Sequence, residues 1–121
     1  MGTRQEKGRL GEDIAVAYLS ERGVEVLVRN YRCRLGEIDL IGREGGSVVF
    51  VEVKSRSSAG RGLPQESVSR EKQRRLTRLA QWFLKERRME RQHARFDVIA
   101  ITWTSGEPEV TWIVNAFEAC E

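Results

Sequence analysis

Two short runs in the first half of the chain are built from β-branched and aromatic residues with charges set among them: Gly36-Glu37-Ile38-Asp39-Leu40-Ile41-Gly42, and Ser47-Val48-Val49-Phe50-Val51-Glu52-Val53-Lys54. Between them lies Arg43-Glu44-Gly45-Gly46, whose paired glycines signal a two-residue turn, so the stretch predicts a β-hairpin. Upstream, Leu10, Ile14, Ala17, Tyr18 and Leu19 recur at helical spacing and predict a helix over 4–22, ended by Gly23. Residues 24–28 read as a strand and 29–34 as a turn into the hairpin, with Asn30 tolerant of a left-handed backbone. Downstream, Leu76, Leu79, Ala80, Phe83 and Leu84 form the stripe of a second helix, running from an N-cap at Ser69 to about residue 88. Residues 95–103 are apolar almost throughout, as a central strand would be, and the helix before them permits a parallel crossover. A turn over 105–108 leads to a last strand over 109–114, with Trp103 and Trp112 expected as a cross-strand pair and Phe117 docking from a short tail.

The elements therefore read αβββαβ with a final strand. This is an α/β fold with a mixed sheet and helices packed against it. At 121 residues the chain is long enough to bury one core, and a single domain over 1–121 is expected.

The charges inside the hairpin change this picture. If Gly45-Gly46 is the loop, Glu44 pairs with Ser47, Asp39 falls opposite Glu52, and Glu37 falls opposite Lys54. Like charges across a strand pair repel, and a divalent cation would offset the repulsion. Two carboxylates, a backbone carbonyl and waters suit Mg²⁺ or Mn²⁺, and a lysine two residues beyond a ligand reaches a bound water or a phosphate. That describes a site for phosphodiester cleavage. An ordinary hairpin is equally open, with Lys54 paired to Glu37 and one carboxylate protonated or solvated.

Asp39 followed by Glu52-Val53-Lys54 resembles the D…(D/E)xK signature of restriction-endonuclease-like nucleases. The wider pattern is similar to the bacterial YraN family: Gly11-Glu12, Arg29-Asn30-Tyr31-Arg32, Gly36-Glu37-Ile38-Asp39-Leu40-Ile41, Val49-Phe50-Val51-Glu52-Val53-Lys54 and Arg95-Phe96-Asp97-Val98. The resemblance covers nearly the whole chain. It implies a restriction-endonuclease-like core related to the archaeal Holliday-junction resolvases, and a metal-dependent endonuclease. It also implies roles for single residues. Asp39, Glu52 and the Val53 carbonyl would bind Mg²⁺ or Mn²⁺, Glu12 on the first helix would assist directly or through water, and Lys54 would act on the nucleophile or the developing charge. On the residues themselves, Glu37 is assigned to tuning Lys54 rather than to the metal. Asp97, expected at the start of its strand, either supports the site from behind the metal ligands or makes a structural bond to a loop, the latter favoured.

Charge supports a polyanionic partner. Residues 54–95 hold 13 Lys or Arg against 4 Asp or Glu, a surplus of +9 where the whole chain carries +3, so the remainder stands at −6. Such clustering fits a surface that follows a phosphate backbone. Arg32 and Arg34 flank the hairpin's start. Arg56 and Arg61 belong to a Gly- and Ser-rich loop over 55–64 that is expected to lie over the site, and Lys72 and Arg74 to the start of the second helix. These six are the nucleic-acid contacts expected, with DNA favoured over RNA and a homodimer if four-way junctions are cut symmetrically. His93 reads as a surface residue. Cys33 and Cys120, far apart and without a CxxC, indicate neither a zinc site nor a disulfide framework. The absence of a signal-like or membrane-spanning run gives an expectation of a cytoplasmic protein. Three functions remain open: a structure-selective endonuclease of repair or recombination, a non-catalytic nucleic-acid-binding module, and a protein-interaction domain that retains the fold.

Overall fold

The computed structural model describes residues 4–57 and 62–120. Its elements are α1 (Arg4–Glu21), β1 (Glu25–Cys33), β2 (Gly36–Glu44), β3 (Ser47–Arg56), a 3-10 turn (Pro64–Ser67), α2 (Arg70–Glu86), β4 (His93–Thr102) and β5 (Glu109–Phe117). The five strands form one sheet in chain order. β1, β2 and β3 are an antiparallel meander, β3 and β4 pair in parallel across the α2 crossover, and β5 returns antiparallel to β4. This is an α/β fold consistent with a restriction-endonuclease-like core.

Each face of the sheet is covered by one helix, which is why the central strands are apolar on both sides. Val48, Phe50, Phe96 and Val98 pack with Leu76, Leu79 and Phe83 of α2, and Phe83 meets Tyr31 and Phe50 edge to face. Val49, Val51, Ile99 and Ile101 pack with Ala15 and Leu19 of α1. Among the described residues no helix is long and apolar enough to cross a membrane.

Several boundaries differ from the sequence reading. The first strand runs to Cys33 rather than ending at residue 28, and the chain reverses at Arg34-Leu35. The buried line of α1 is Gly11, Ala15 and Leu19, whereas Leu10 and Ala17 are exposed. A count of apolar side chains overlooks Gly11, which faces β3 and β4; a Cβ there would make ordinary contacts, 3.7 Å from Ile101 and 3.8 Å from Ser55. β3 continues through Ser55 and Arg56, paired with Ile101 and Thr102, so the loop begins later than expected. β5 extends to Phe117, whose ring stacks on Phe96. Trp112 lies opposite Ile99 and meets Tyr18 edge to face, while the Trp103 indole donates to Ser55 Oγ, so the two tryptophans do not form the expected pair. Ser69 caps α2 as expected, its hydroxyl accepting from Lys72 N.

Candidate active site

The turn at Gly45-Gly46 sets the register anticipated for the hairpin, with Glu44 paired to Ser47 and Leu40 to Val51. The ladder stops there. One step further, where Asp39 faces Glu52, the two strands separate, and Asp39 Oδ2 accepts the Val53 N–H at 2.8 Å in place of a backbone carbonyl. The separation coincides with an irregularity in β1. Arg29 pairs with Leu40 and Tyr31 with Ile38, and Asn30 between them is left-handed at φ 54°. Ile38 and Leu40, which strict alternation would place on one face, consequently belong to opposite cores.

Groups from four elements stand in or beside this notch, and of these Asp39, Glu52 and Lys72 line it. Asp39 comes from β2, and Glu52 and Lys54 from β3. Lys72 comes from the first turn of α2, and Glu12 flanks the buried line of α1. Glu52 is buried, 7% exposed, with Lys54 Nζ 3.7 Å from its Oε2 and Lys72 Nζ paired to the same oxygen. Burial and the charge of Glu52 push the Asp39 carboxyl up to about 7, against the opposing pull of the Val53 N–H; Glu12 adds a smaller push in the same direction. Desolvation is the larger cause, and the two lysines paired with Glu52 offset part of the repulsion between the facing carboxylates.

Glu12 stands close enough to be felt by Asp39, but its Oε1 accepts from Asn30 Nδ2 at 3.0 Å and lies 3.6 Å from Arg29. Among the described residues no three Asp, Glu, His or Cys side chains are gathered closely enough to hold a metal ion. The donor set still suits a hard cation: two oxygen ligands in electrostatic conflict, beside the Val53 peptide whose N–H is already engaged.

Glu37 does not meet Lys54. Its carboxylate sits 3.4 Å from Arg32 Nε, because past Leu40 the diverging strands no longer bring cross-strand neighbours together. Asp97 lies inside β4 and is a structural anchor. It receives Arg95 Nε, the Trp112 indole at 2.9 Å and the Asn115 N–H at 2.9 Å, which fixes β5 where its register shifts.

The notch is lined by Cys33, Arg34, Gly36, Glu37, Lys72 and Arg75 besides the two carboxylates, and encloses about 440 Å³. Of the six basic residues expected to contact nucleic acid, Arg34 and Lys72 reach the notch, and Arg74 lines an adjoining cleft. Arg32 is exposed beside Glu37 on β1. Arg56 donates to Thr102 Oγ1 and to the Gly62 carbonyl, which ties β3 to the chain entering the 3-10 turn. Arg61 lies outside the described residues. Arg75 was missed by the sequence reading. The signal was present in the helical spacing, since Arg75 precedes Leu76 and Leu79 on the flank of the buried stripe.

A sequence model of the uncharacterised protein family UPF0102 matches residues 11–101. The chain is 47% identical over 111 residues to a UPF0102 protein of Syntrophus aciditrophicus, covering 92% of this chain and 87% of that one. It is 46% identical over 115 residues to a UPF0102 protein of Syntrophotalea carbinolica, covering 95% and 94%. A UPF0102 protein of Lachnoclostridium phytofermentans is 44% identical over 117 residues, covering 96% of each chain. These matches bear out the YraN resemblance, and the relatives' names state no activity.

Proposed function

The chain belongs to the UPF0102 family, also called the YraN family, and from that membership together with the acidic notch we propose that it is a metal-dependent endonuclease acting on branched or junction DNA. The observation that carries the reading is the forced approach of Asp39 and Glu52, with Lys54 and Lys72 held beside them.

Asp39, Glu52 and the Val53 carbonyl would hold Mg²⁺ or Mn²⁺, with Glu12 assisting through water. When bound, such an ion lowers the pKa of a coordinated water and neutralises charge on the scissile phosphate. The chain's own residues do the rest. Asp39 is kept in place by the Val53 N–H. Lys54 is positioned to stabilise the negative charge that develops on the reacting phosphate or to orient the nucleophile. Lys72, now paired with Glu52, becomes a second cation for the phosphate once Glu52 is engaged elsewhere.

Pairing of Glu52 with Lys72 also favours a second reading. The buried carboxylate already has a cationic partner, as a nucleic-acid-binding module without catalysis would need. Cleavage of labelled four-way junction, flap, single-stranded and duplex DNA in Mg²⁺ or Mn²⁺ separates the two. The nuclease predicts cutting that is abolished by EDTA and lost in folded Asp39→Ala and Lys54→Ala proteins. Salt-sensitive binding without cutting, surviving both substitutions, would replace it with the binding module.

A further inference from the structure

The notch does not end at Lys72. Arg75 and Leu35, which line it, also line a neighbouring cleft of about 320 Å³ with Glu71, Arg74 and Arg78, so a basic cleft adjoins the acidic site between α2 and the β1–β2 turn. Glu71, Arg75, Arg78 and Trp82 are spaced by four, three and four residues and form one ridge of the helix. Arg74, Arg75 and Arg78 are exposed, and among the described residues none of the three makes an ion pair. One turn beyond Arg78, Trp82 is 45% exposed on an otherwise charged surface. A large aromatic left in water beside unpaired guanidinium groups offers what a nucleic-acid strand needs, cations for the phosphates and a flat face for a base.

Spacing and stacking narrow the partner. Ten residues separate Lys72 from Trp82, roughly 15 Å along the helix axis, a reach of only a few nucleotides. A base inside a duplex has both faces covered by its neighbours. Trp82 can therefore stack only on one that is unpaired.

We infer that the ridge Arg75, Arg78 and Trp82 binds an unpaired stretch of nucleic acid running from the notch, with its phosphates along the arginines and a base on the Trp82 ring. The inference rests on the nuclease reading of the notch and adds to it the substrate class: nucleic acid with unpaired bases within a few nucleotides of the scissile phosphate.

The test is fluorescence anisotropy in EDTA with a labelled blunt duplex, the same duplex carrying a single-stranded overhang, and the free strand. The proteins compared are the wild type, Trp82→Ala, Trp82→Phe and Arg75→Ala/Arg78→Ala, each with a melting temperature close to that of the wild type. Trp82→Ala weakens binding to the overhang and the free strand about tenfold or more, leaves the blunt duplex nearly unchanged, and Trp82→Phe restores most of the loss. The double arginine variant lowers the salt dependence of overhang binding by about one to two counterions. No loss in Trp82→Ala, or an equal loss on blunt and overhanging ligands, overturns the inference. Because binding is read without metal, a protein that shows the Trp82 effect yet never cuts loses the nuclease reading alone. One that cuts flaps equally well with Trp82→Ala loses this surface alone.

Discussion

Asp39 carries two duties that pull in opposite directions. Its carboxylate holds the Val53 N–H where the strands part, yet it sits half-buried against Glu52. Its pKa, raised from 3.8 to about 7, makes the folded state bind a proton that the unfolded chain releases at lower pH. The sign follows. The stability associated with protonated Asp39 is fully present below pH 3.8 and is lost as pH rises to about 7. In EDTA, therefore, the protein melts at a lower temperature at pH 8 than this group would permit at pH 5. Asp39→Asn keeps an oxygen for Val53 and removes the charge. We expect it to stabilise the metal-free protein at pH 8 by at least about 1 kcal/mol, measured by thermal unfolding, while abolishing cleavage. A destabilised Asp39→Asn protein would show that the carboxylate charge supports the fold.

At the scale of elements, the sheet is fixed at two places by carboxylates of different kinds, one half-buried and one fully buried. Asp39 marks where β2 leaves β3, and Asp97 locks β5 to β4. The Asp97 side chain is fully buried and held by Arg95, which also pairs with Glu44 at 2.7 Å. Asp97→Asn should cost about 3 kcal/mol in chemical denaturation, because it leaves Arg95 partly uncompensated in the interior. Cutting per folded molecule should be unchanged, since Asp97 is outside the notch; a loss of cutting without a loss of stability would assign it to the site instead. Legibility in the sequence follows the same division. The hairpin register was readable because a two-residue Gly-Gly turn and a period of two leave little freedom. The length of β1 was not, because Arg29, Asn30 and Arg32 resemble a polar turn, whereas the left-handed Asn30 merely twists a continuing strand. The buried face of α1 was displaced because its line runs through Gly11, Ala15 and Leu19, and a stripe of large apolar side chains does not count Gly11.

At the scale of the molecule, the site is assembled from elements distant in sequence, and this limited what the chain alone revealed. Asp39, Glu52 and Lys54 were legible from one hairpin. The pairing of Lys72 with Glu52, and the Arg75 path beyond it, depend on how the start of α2 crosses the sheet. A cation that binds the folded notch and not the unfolded chain should stabilise the whole domain, by about 2.7 kcal/mol at a hundred times its dissociation constant. Titrating Mg²⁺ or Mn²⁺ against the melting temperature should show this in the wild type and not in Glu52→Gln. An equal rise in both proteins would place the cation elsewhere.

The hydrogen bond from Val53 to Asp39 gives the molecule a built-in spectroscopic probe. A peptide proton shared with a carboxylate resonates at a frequency that tracks that carboxylate's charge, so the Val53 amide cross-peak should shift with the ionisation of a side chain fourteen residues away. A single backbone signal would then follow events in the notch in real time, without a label on the protein or a dye on the nucleic acid.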